Sequence, residues 1–341
     1  MLKTLEELCA LDGPSGCEDS VRDYIRAKAA PFADEILEDP MGNLMILRRG
    51  RASRENPLML CAHMDEVGVI VKRITDDGMI RFGFVGGIDP RVVIGRKIRF
   101  TNGVRGVAGI KAVHLTTAAE RENMPKAKDL YIDIGASGQK QAEARLSLGD
   151  YGTFDAENRY FGDGLLKAKA IDDRIGCAVL LTLLQTEPPA DTWFCFTVQE
   201  EVGLRGAATA AFRLNPDFCL VVEGTTAADL AEAPGNKQVC RLRGGAVLPF
   251  MDRGTIYDRE LFELLRSIAA EKNIRWQTKH MVAGGTDAGR IHKLRTGIRT
   301  AGIAVPVRYI HSPVSVAAIQ DMEDVLSLTR AFLENFGGQD A

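Results

Sequence analysis

Four apolar, strand-like runs of the sequence each lead into a residue that can bind a metal or move a proton. The runs occupy positions 58–62, 193–198, 218–222 and 303–310, and they lead into His63, Glu200 with Glu201, Glu223 and His311. In an open α/β sheet, ligands bind outside the carboxyl ends of the parallel strands. The pattern therefore predicts an α/β sheet whose strands deliver these side chains to one common edge.

A fifth candidate, Asp172, precedes an apolar, helix-like stretch at 175–184, and the N-terminus of a helix favours negative charge. Together the candidates offer the nitrogen and oxygen ligands that suit zinc, cobalt or manganese: His63, Asp172, Glu201, Glu223 and His311. Two histidines and three carboxylates are too many for one tetrahedral ion. They suit two ions about 3.5–4 Å apart, each with one histidine and one terminal carboxylate, bridged by the aspartate.

Each of these residues also has a structural interpretation when it is taken alone. A histidine at a strand end can be a hydrogen-bonded structural residue, the adjacent glutamates can form a solvated turn, and the Asp172–Asp173 pair can cap a helix. The metal-site hypothesis rests on all five candidates meeting at one sheet edge. The remaining histidines are not assigned to metal: His114, His280 and His292.

The chain has 341 residues, a length that suggests about two domains. The pattern of apolar and polar residues changes along it. Positions 67–162 contain short alternating segments interrupted by glycines every few residues, which is typical of a small β-rich domain or barrel. On both sides, long helix-like stretches alternate with apolar strands. We predict one α/β catalytic domain formed by residues 1–66 and 163–341, with residues 67–162 inserted as a β domain.

Charge and hydrophobicity exclude several classes of function. The net charge is −3 and no stretch is strongly basic, which argues against a nucleic-acid partner. No apolar run approaches the roughly 18 residues that span a bilayer, and acidic residues lie where a signal peptide has its apolar core. We therefore expect a cytoplasmic protein without a membrane partner. The seven cysteines are scattered without a C-x-x-C pair, and we expect buried, reduced thiols.

Several blocks of the sequence resemble the family of dinuclear metallopeptidases that contains glutamyl aminopeptidase and the tetrahedral (TET), self-compartmentalising aminopeptidases. The resemblance runs in one order from near residue 5 to about residue 335. Its most specific blocks are GPSGCE at 13–18, AHMDEVG at 62–68, KAIDDRIG at 169–176, QEEVGLRG at 199–206, GTDAG at 285–289 and RYIHSP at 308–313.

The resemblance implies an α/β/α metallopeptidase domain interrupted by a β-barrel or PDZ-like domain. It places the metal ligands at the same five positions: His63, Asp172, Glu201, Glu223 and His311. It implies that Glu200 is the general base and that Asp65 orients His63 by accepting its second N–H. It also implies a cis peptide bond after Asp172. Glu223 stands where many relatives have aspartate, and its longer side chain can still reach a metal.

The expected activity is that of a metal-dependent aminopeptidase acting on peptides with a free N-terminus. Two divalent ions, zinc or cobalt with manganese also suitable, would activate a bridging water whose proton Glu200 takes. The resemblance further implies a homo-oligomer, either a dimer or a tetrahedral dodecamer. Relatives prefer acidic, apolar or basic N-terminal residues, and the sequence leaves that choice open. Two alternative functions also stay open, a polysaccharide hydrolase with paired carboxylates and a non-catalytic scaffold.

Overall fold

The computed structural model describes residues 1–53 and 57–336. Its helices are α1 (Leu2–Ala10), α2 (Asp19–Ala29), α3 (Ala118–Glu122), α4 (Gln139–Glu143), α5 (Ile171–Leu183), α6 (Arg205–Leu214), α7 (Arg259–Glu271), α8 (Ala288–Ile291) and α9 (Ile319–Phe336). The strands before residue 160 are β1 (Glu35–Glu38), β2 (Leu44–Arg48), β3 (Leu58–His63), β4 (Gly68–Ile74), β5 (Ile80–Val85), β6 (Lys97–Phe100), β7 (Arg105–Ile110), β8 (Leu130–Asp133), β9 (Tyr151–Phe154) and β10 (Arg159–Phe161). Those that follow are β11 (Leu165–Ala168), β12 (Thr192–Thr197), β13 (Phe218–Thr226), β14 (Ala246–Leu248), β15 (Trp276–Thr278), β16 (Arg299–Arg308) and β17 (Ser315–Ala318).

A large sheet contains all four of the apolar runs that the sequence pattern identifies. Its strand order is β1-β2-β12-β3-β13-β16-β17-β11-β10, with β14 beside β16 and β15 beside β14. The four central strands β12, β3, β13 and β16 run parallel to one another, and Thr197 is in register with His63 at the ends of β12 and β3. The predicted α/β sheet is therefore confirmed, and its carboxyl edge collects the ends of these strands.

Both faces of this sheet are covered by helices, because the central strands are apolar on both sides. In β3, Leu58 and Leu60 pack into a cluster with α1, α2, α5, α7 and α9. The alternate residues Met59 and Cys61 pack into a second cluster with α6 and α8 on the opposite face. The result is the α/β/α arrangement that the sequence predicts. All seven cysteines are free, and all except the partly exposed Cys17 are buried.

The inserted segment forms a closed antiparallel barrel with the strand order β4-β5-β8-β7-β6-β9. A hydrophobic cluster of its own fills the barrel, with Ile80, Phe100, Leu130 and Ile132 each at most 1% exposed. The strands of the barrel lie between residues 68 and 154, and β10 pairs with β11 in the large sheet although its residues precede position 163. The division into two domains at 67 and 162 stays a prediction.

Polar contacts tie the barrel to the loop that follows α1. Arg99 of β6 donates two hydrogen bonds to the Asp12 carboxylate, at 2.7 and 2.8 Å. Thr153 of β9 donates a third to the same carboxylate, at 2.8 Å. Asp12 therefore connects two barrel strands to the N-terminal part of the chain. Among the described residues, no helix is both long and apolar enough to cross a membrane.

Gly176 lets α5 lie directly against β13. A Cβ atom at this position would be 2.3 Å from the main-chain oxygen of Val222 and 2.5 Å from the Asp173 carboxylate. We therefore expect Gly176→Ala to lower the free energy of unfolding by about 1–3 kcal/mol, as overpacking does, despite the higher helix propensity of alanine. The melting temperature of the metal-free protein, measured by circular dichroism, checks this.

The matched control is Gly235→Ala, because nothing lies within 4 Å of the position that its Cβ would take. We expect this control to melt within a degree or two of the parent. Equal melting temperatures for Gly176→Ala and the parent would contradict the close approach of helix and strand.

Candidate metal centre

His63 is the last residue of β3 and lies buried at the carboxyl edge of the sheet. Its Nδ1 atom lies 3.1 Å from the main-chain oxygen of Asp65 and 3.4 Å from the carboxylate of the same residue. A proton on Nδ1 satisfies that carbonyl oxygen and leaves a lone pair on Nε2. The Nε2 atom faces the carboxylates of Asp172 and Glu200, at 3.5 and 3.9 Å.

Asp172 lies in the first turn of α5, and its carboxylate lies between two imidazole rings. Its Oδ1 atom is 3.5 Å from Nε2 of His63, and its Oδ2 atom is 3.8 Å from Nε2 of His311. Oδ1 also accepts a hydrogen bond of 3.3 Å from the main-chain N–H of Gly224 in β13. The peptide bond between Asp172 and Asp173 is cis, as the resemblance implies. One carboxylate thus faces both histidines, which is the placement that a bridging ligand needs.

His311 follows β16, and the inserted barrel helps to orient it. Its Nε2 atom lies 3.2 Å from a carboxylate oxygen of Glu201, and its Nδ1 atom lies 2.9 Å from the main-chain oxygen of Gly87. Gly87 belongs to the turn after β5, so a barrel residue contacts a candidate ligand. The preceding Gly86 has a φ of +85°, and a Cβ there would be 3.3 Å from Cβ of Glu201. This turn therefore packs closely against the site.

Glu223 lies inside β13, which continues to Thr226, whereas the sequence pattern predicts that the strand ends just before Glu223. Its side chain accepts a hydrogen bond of 3.2 Å from the main-chain N–H of Asp287. Among the described residues, His63, Asp172 and Glu201 offer ligand atoms that all lie within 4.8 Å of one another. Glu223 and His311 lie outside this closest group. The structure nevertheless brings all five predicted ligands to the same edge of the sheet.

Asp65 supports the loop that carries the two adjacent glutamates. Its carboxylate accepts the main-chain N–H of Glu200 at 2.9 Å and that of Glu201 at 3.1 Å. It also accepts the hydroxyl of Ser15 at 2.6 Å. The main-chain oxygen of Asp65 is nearer to Nδ1 of His63 than its carboxylate is. Asp65 therefore contacts the histidine mainly through its main chain and positions the glutamate loop through its carboxylate.

Burial and the crowding of negative charge shift the pKa values in the site. Burial raises the pKa of Glu200 well above its usual value, and the carboxylates of Glu223 and Glu201 add to this effect. Burial also raises the pKa of Glu201 to about 7. At His311 burial opposes protonation, but Asp172 and Glu201 outweigh it and raise the pKa to about 9. The site therefore favours positive charge.

These residues fit a site for divalent cations on three counts. The donors are imidazole nitrogens and carboxylate oxygens, which suit zinc, cobalt or manganese. Both histidines direct Nδ1 to a main-chain oxygen, the second contact that holds a metal-bound imidazole in place. The excess of buried carboxylates is the negative charge that a cation would offset. Which metal is bound stays a prediction.

Sequence reasoning did not assign roles to several residues that support the site. Asp173 accepts the main-chain N–H of His63 at 3.1 Å and that of Gly176 at 2.9 Å. Glu18 accepts the main-chain N–H of Gln199 at 3.1 Å, beside the loop that Asp65 holds. Asp173 and Glu18 stand within the blocks that carry the family resemblance, and their place in these blocks is the sequence feature that could have marked them as supporting residues.

Comparison with known proteins gives one family and several structures of the same fold. Residues 42–328 match the family model described as M42 glutamyl aminopeptidase. A TET aminopeptidase from a marine sediment archaeon of the Thaumarchaeota is 32% identical, with a TM-score of 0.93 over 98% of this chain and 95% of that chain. The Pyrococcus horikoshii TET1 peptidase, which can assemble into a tetrahedron or a large octahedral shell, is 30% identical, with a TM-score of 0.87 over 97% and 98%. An endoglucanase from Thermotoga maritima is 35% identical, with a TM-score of 0.81 over 98% and 97%.

We expect His311→Ala to weaken the binding of at least one zinc ion by more than the roughly 10–100-fold typical of losing a supporting residue, because it removes a direct ligand. Titration calorimetry of the metal-free protein with zinc measures this. The control is His114→Ala, since His114 is exposed in the inserted segment and should leave binding unchanged. Unchanged zinc affinity in His311→Ala would remove this histidine from the ligand set.

Proposed function

Because this chain belongs to the M42 glutamyl aminopeptidase family, we propose that it is a metal-dependent aminopeptidase that hydrolyses N-terminal residues from peptides. The observation that supports this most directly is the Asp172 carboxylate, which faces Nε2 of both His63 and His311. An aspartate that faces two histidines, with glutamates close by, is a donor set that suits a two-metal hydrolase.

In this proposal, His63, Asp172 and Glu223 hold one divalent ion, and Asp172, Glu201 and His311 hold the other. The Glu201 and His311 assignments to one ion are supported by their 3.2 Å contact. Zinc or cobalt suits these donors best, and manganese is also compatible with them. When bound, the ions supply Lewis-acid polarisation of the scissile carbonyl and a water of lowered pKa.

Glu200 is the proposed general base. Its carboxylate faces the site, 3.9 Å from Nε2 of His63, while its main-chain N–H is fixed by Asp65. A base must lie within reach of the proton it removes, and it transfers that proton to the leaving group later in the reaction. In a peptidase the proton passes from water to Glu200 and then to the leaving amine. Asp65 keeps Glu200 in place during both transfers.

The requirement for a free N-terminus follows from the same pair of ions. One ion would polarise the scissile carbonyl, and the other would bind the free α-amino group of the substrate. A peptide with a blocked N-terminus cannot make this contact. The proposed activity is therefore that of an exopeptidase that requires a free amino group.

One alternative is a polysaccharide hydrolase, because the similar protein from Thermotoga maritima is named an endoglucanase. Such an enzyme uses two opposed carboxylates, and the histidines would have no role in its chemistry. Glu200 and Glu201 are adjacent on one loop, which does not by itself make them an opposed pair. A non-catalytic scaffold is the other alternative, and it does not require this complete set of ligands and base.

Removal of metal separates these possibilities. We expect a chelator to abolish hydrolysis of aminoacyl 4-nitroanilides and added zinc, cobalt or manganese to restore it, because metal-ion catalysis supplies several kcal/mol of barrier lowering. The same samples are assayed on carboxymethylcellulose. Hydrolysis of the polysaccharide that persists in chelator, with no aminopeptidase activity under any metal, would favour the carbohydrate hydrolase instead.

We further propose that the protein assembles into a homo-oligomer, a dimer or a tetrahedral dodecamer. The support is the shell formed by the Pyrococcus horikoshii TET1 peptidase, which shares this fold along nearly the whole chain. We expect light scattering of the metal-loaded protein to give the mass of two or more chains. A monomeric mass together with full activity would contradict the assembly. The cytoplasmic location stays a prediction from the sequence.

We expect Glu200→Gln to reduce kcat by roughly 10²–10⁴-fold, because the amide cannot accept the proton that a general base removes. Zinc binding should stay close to that of the parent, since Glu200 is not a proposed ligand. Steady-state kinetics and titration calorimetry measure the two effects.

The matched control is Glu187→Gln, an exposed glutamate on the turn after α5, and its kcat should not change. Near-native turnover in Glu200→Gln would rule out this residue as the base. Loss of zinc together with turnover would indicate a ligand instead.

A further inference from the structure

Three consecutive N–H groups in the loop after β12 donate to carboxylates from distant parts of the chain. The N–H of Gln199 donates to the Glu18 carboxylate at 3.1 Å. The next two N–H groups, those of Glu200 and Glu201, are the pair that Asp65 accepts. Side chains therefore hold the main chain at the proposed base and at the residue before it.

Gln199 has the least favourable backbone conformation of these three residues. Its φ is +57°, in the left-handed region that residues with a Cβ atom adopt rarely and only where their surroundings enforce it. Because Gln199 directly precedes Glu200, a change in its backbone angles would move the proposed base. A misplacement of about 1 Å can cost an enzyme about 10²-fold in rate. The hydrogen bond to Glu18 is thus placed to keep Glu200 in its working position.

Glu18 is itself held firmly. It is only 4% exposed, and the same oxygen, Oε1, accepts the N–H of Gly16 at 2.7 Å and that of Gln199. Gly16 belongs to the tight turn at 13–18, where its φ is +90° and a Cβ atom would lie 3.0 Å from Oη of Tyr151. The acceptor oxygen is therefore fixed from two sides.

The same turn has a second contact with the glutamate loop. The Ser15 hydroxyl, which is also buried, donates to Oδ2 of Asp65, the oxygen that accepts the N–H of Glu201. The turn and the loop are therefore joined at two points. The sequence block at 13–18 has no part in the proposed reaction chemistry, so these contacts give it a separate role.

We propose that Glu18 is a positioning residue that holds the general base Glu200 in place through the main chain of Gln199. This inference rests on the proposed aminopeptidase function and adds a residue to its machinery. Glu18 acts through its hydrogen bonds and not through its charge. Its loss should lower kcat more than it changes KM, because the base and not the bound substrate is displaced.

The test uses steady-state kinetics at saturating metal, on the aminoacyl 4-nitroanilide that the parent cleaves fastest. Glu18→Leu should lower kcat by roughly 10–100-fold, as a misplaced catalytic group does, and change KM less than about threefold. Glu18→Gln should keep kcat within about threefold of the parent, because an amide oxygen can accept both N–H groups.

The matched control is Asp321→Leu. Asp321 is a buried carboxylate in the first turn of α9, and it also accepts two main-chain N–H groups, those of Arg243 and Gly245. Both leucine variants leave buried N–H groups without an acceptor, so both should melt at a lower temperature than the parent. Asp321→Leu should nevertheless keep kcat within about threefold.

Hydrogen exchange of the full chain without metal gives a readout that does not depend on activity. The N–H groups of residues 199–201 should exchange at least about tenfold faster in Glu18→Leu than in Asp321→Leu, and at the parent's rate in Glu18→Gln. If Glu18→Leu does not fold, Glu18→Asp replaces it, because aspartate keeps the charge and withdraws the acceptor by one methylene group.

Two kinetic results would overturn the inference. One is a kcat of Glu18→Leu equal to that of Asp321→Leu. The other is a Glu18→Gln that loses as much kcat as Glu18→Leu, since the charge would then matter and not the hydrogen bonds. If the parent cleaves no aminoacyl substrate, the proposed function fails. The exchange rates at 199–201 then decide on their own whether Glu18 holds the loop.

Discussion

Buried carboxylates that repel one another are the constraint on which the site depends, and main-chain N–H groups hold them in place. Asp65 accepts the N–H groups of Glu200 and Glu201, and Asp173 accepts that of His63. Glu223 accepts the N–H of the residue that precedes α8. Each of these donors belongs to a strand end, a helix start or a tight loop, so the sheet fixes the acids at close range before any ligand binds. Such preorganisation is what electrostatic catalysis requires, because the donors need not reorient during the reaction.

Much of the fold follows from the periodicity of the sequence. The apolar runs predict β3 and β12 to within one residue at each end, because strands that are buried on both faces need continuous apolar side chains, whereas β13 ends four residues later and β16 begins four residues earlier than predicted. The ligands at strand ends follow from the same pattern. Glu223 shows where the pattern is insufficient, since its strand continues to Thr226. A charged residue can lie inside a buried strand when a neighbouring N–H satisfies it, and local sequence does not reveal that neighbour.

The contacts that were not predictable come from parts of the chain that are distant in sequence. The Gly87 oxygen that faces His311 is a main-chain atom on the barrel, and any residue type could provide it. The hydrogen bond that Glu223 accepts from Asp287 likewise depends on how the loop before α8 packs against β13. Asp65 is an intermediate case, because its importance was predictable from the family resemblance. Its several hydrogen-bond partners became evident from the three-dimensional structure.

The carbonyl that the barrel offers to His311 also has a thermodynamic consequence. If ions bind more tightly when the barrel is docked, then bound ions must favour the docked barrel by the same free energy, because linkage between two equilibria is reciprocal. Such a coupling would pass through the turn at Gly86 and Gly87 and through the hydrogen bonds between Arg99 and Asp12. On that condition, metal binding and docking of the inserted barrel would be two measures of one equilibrium.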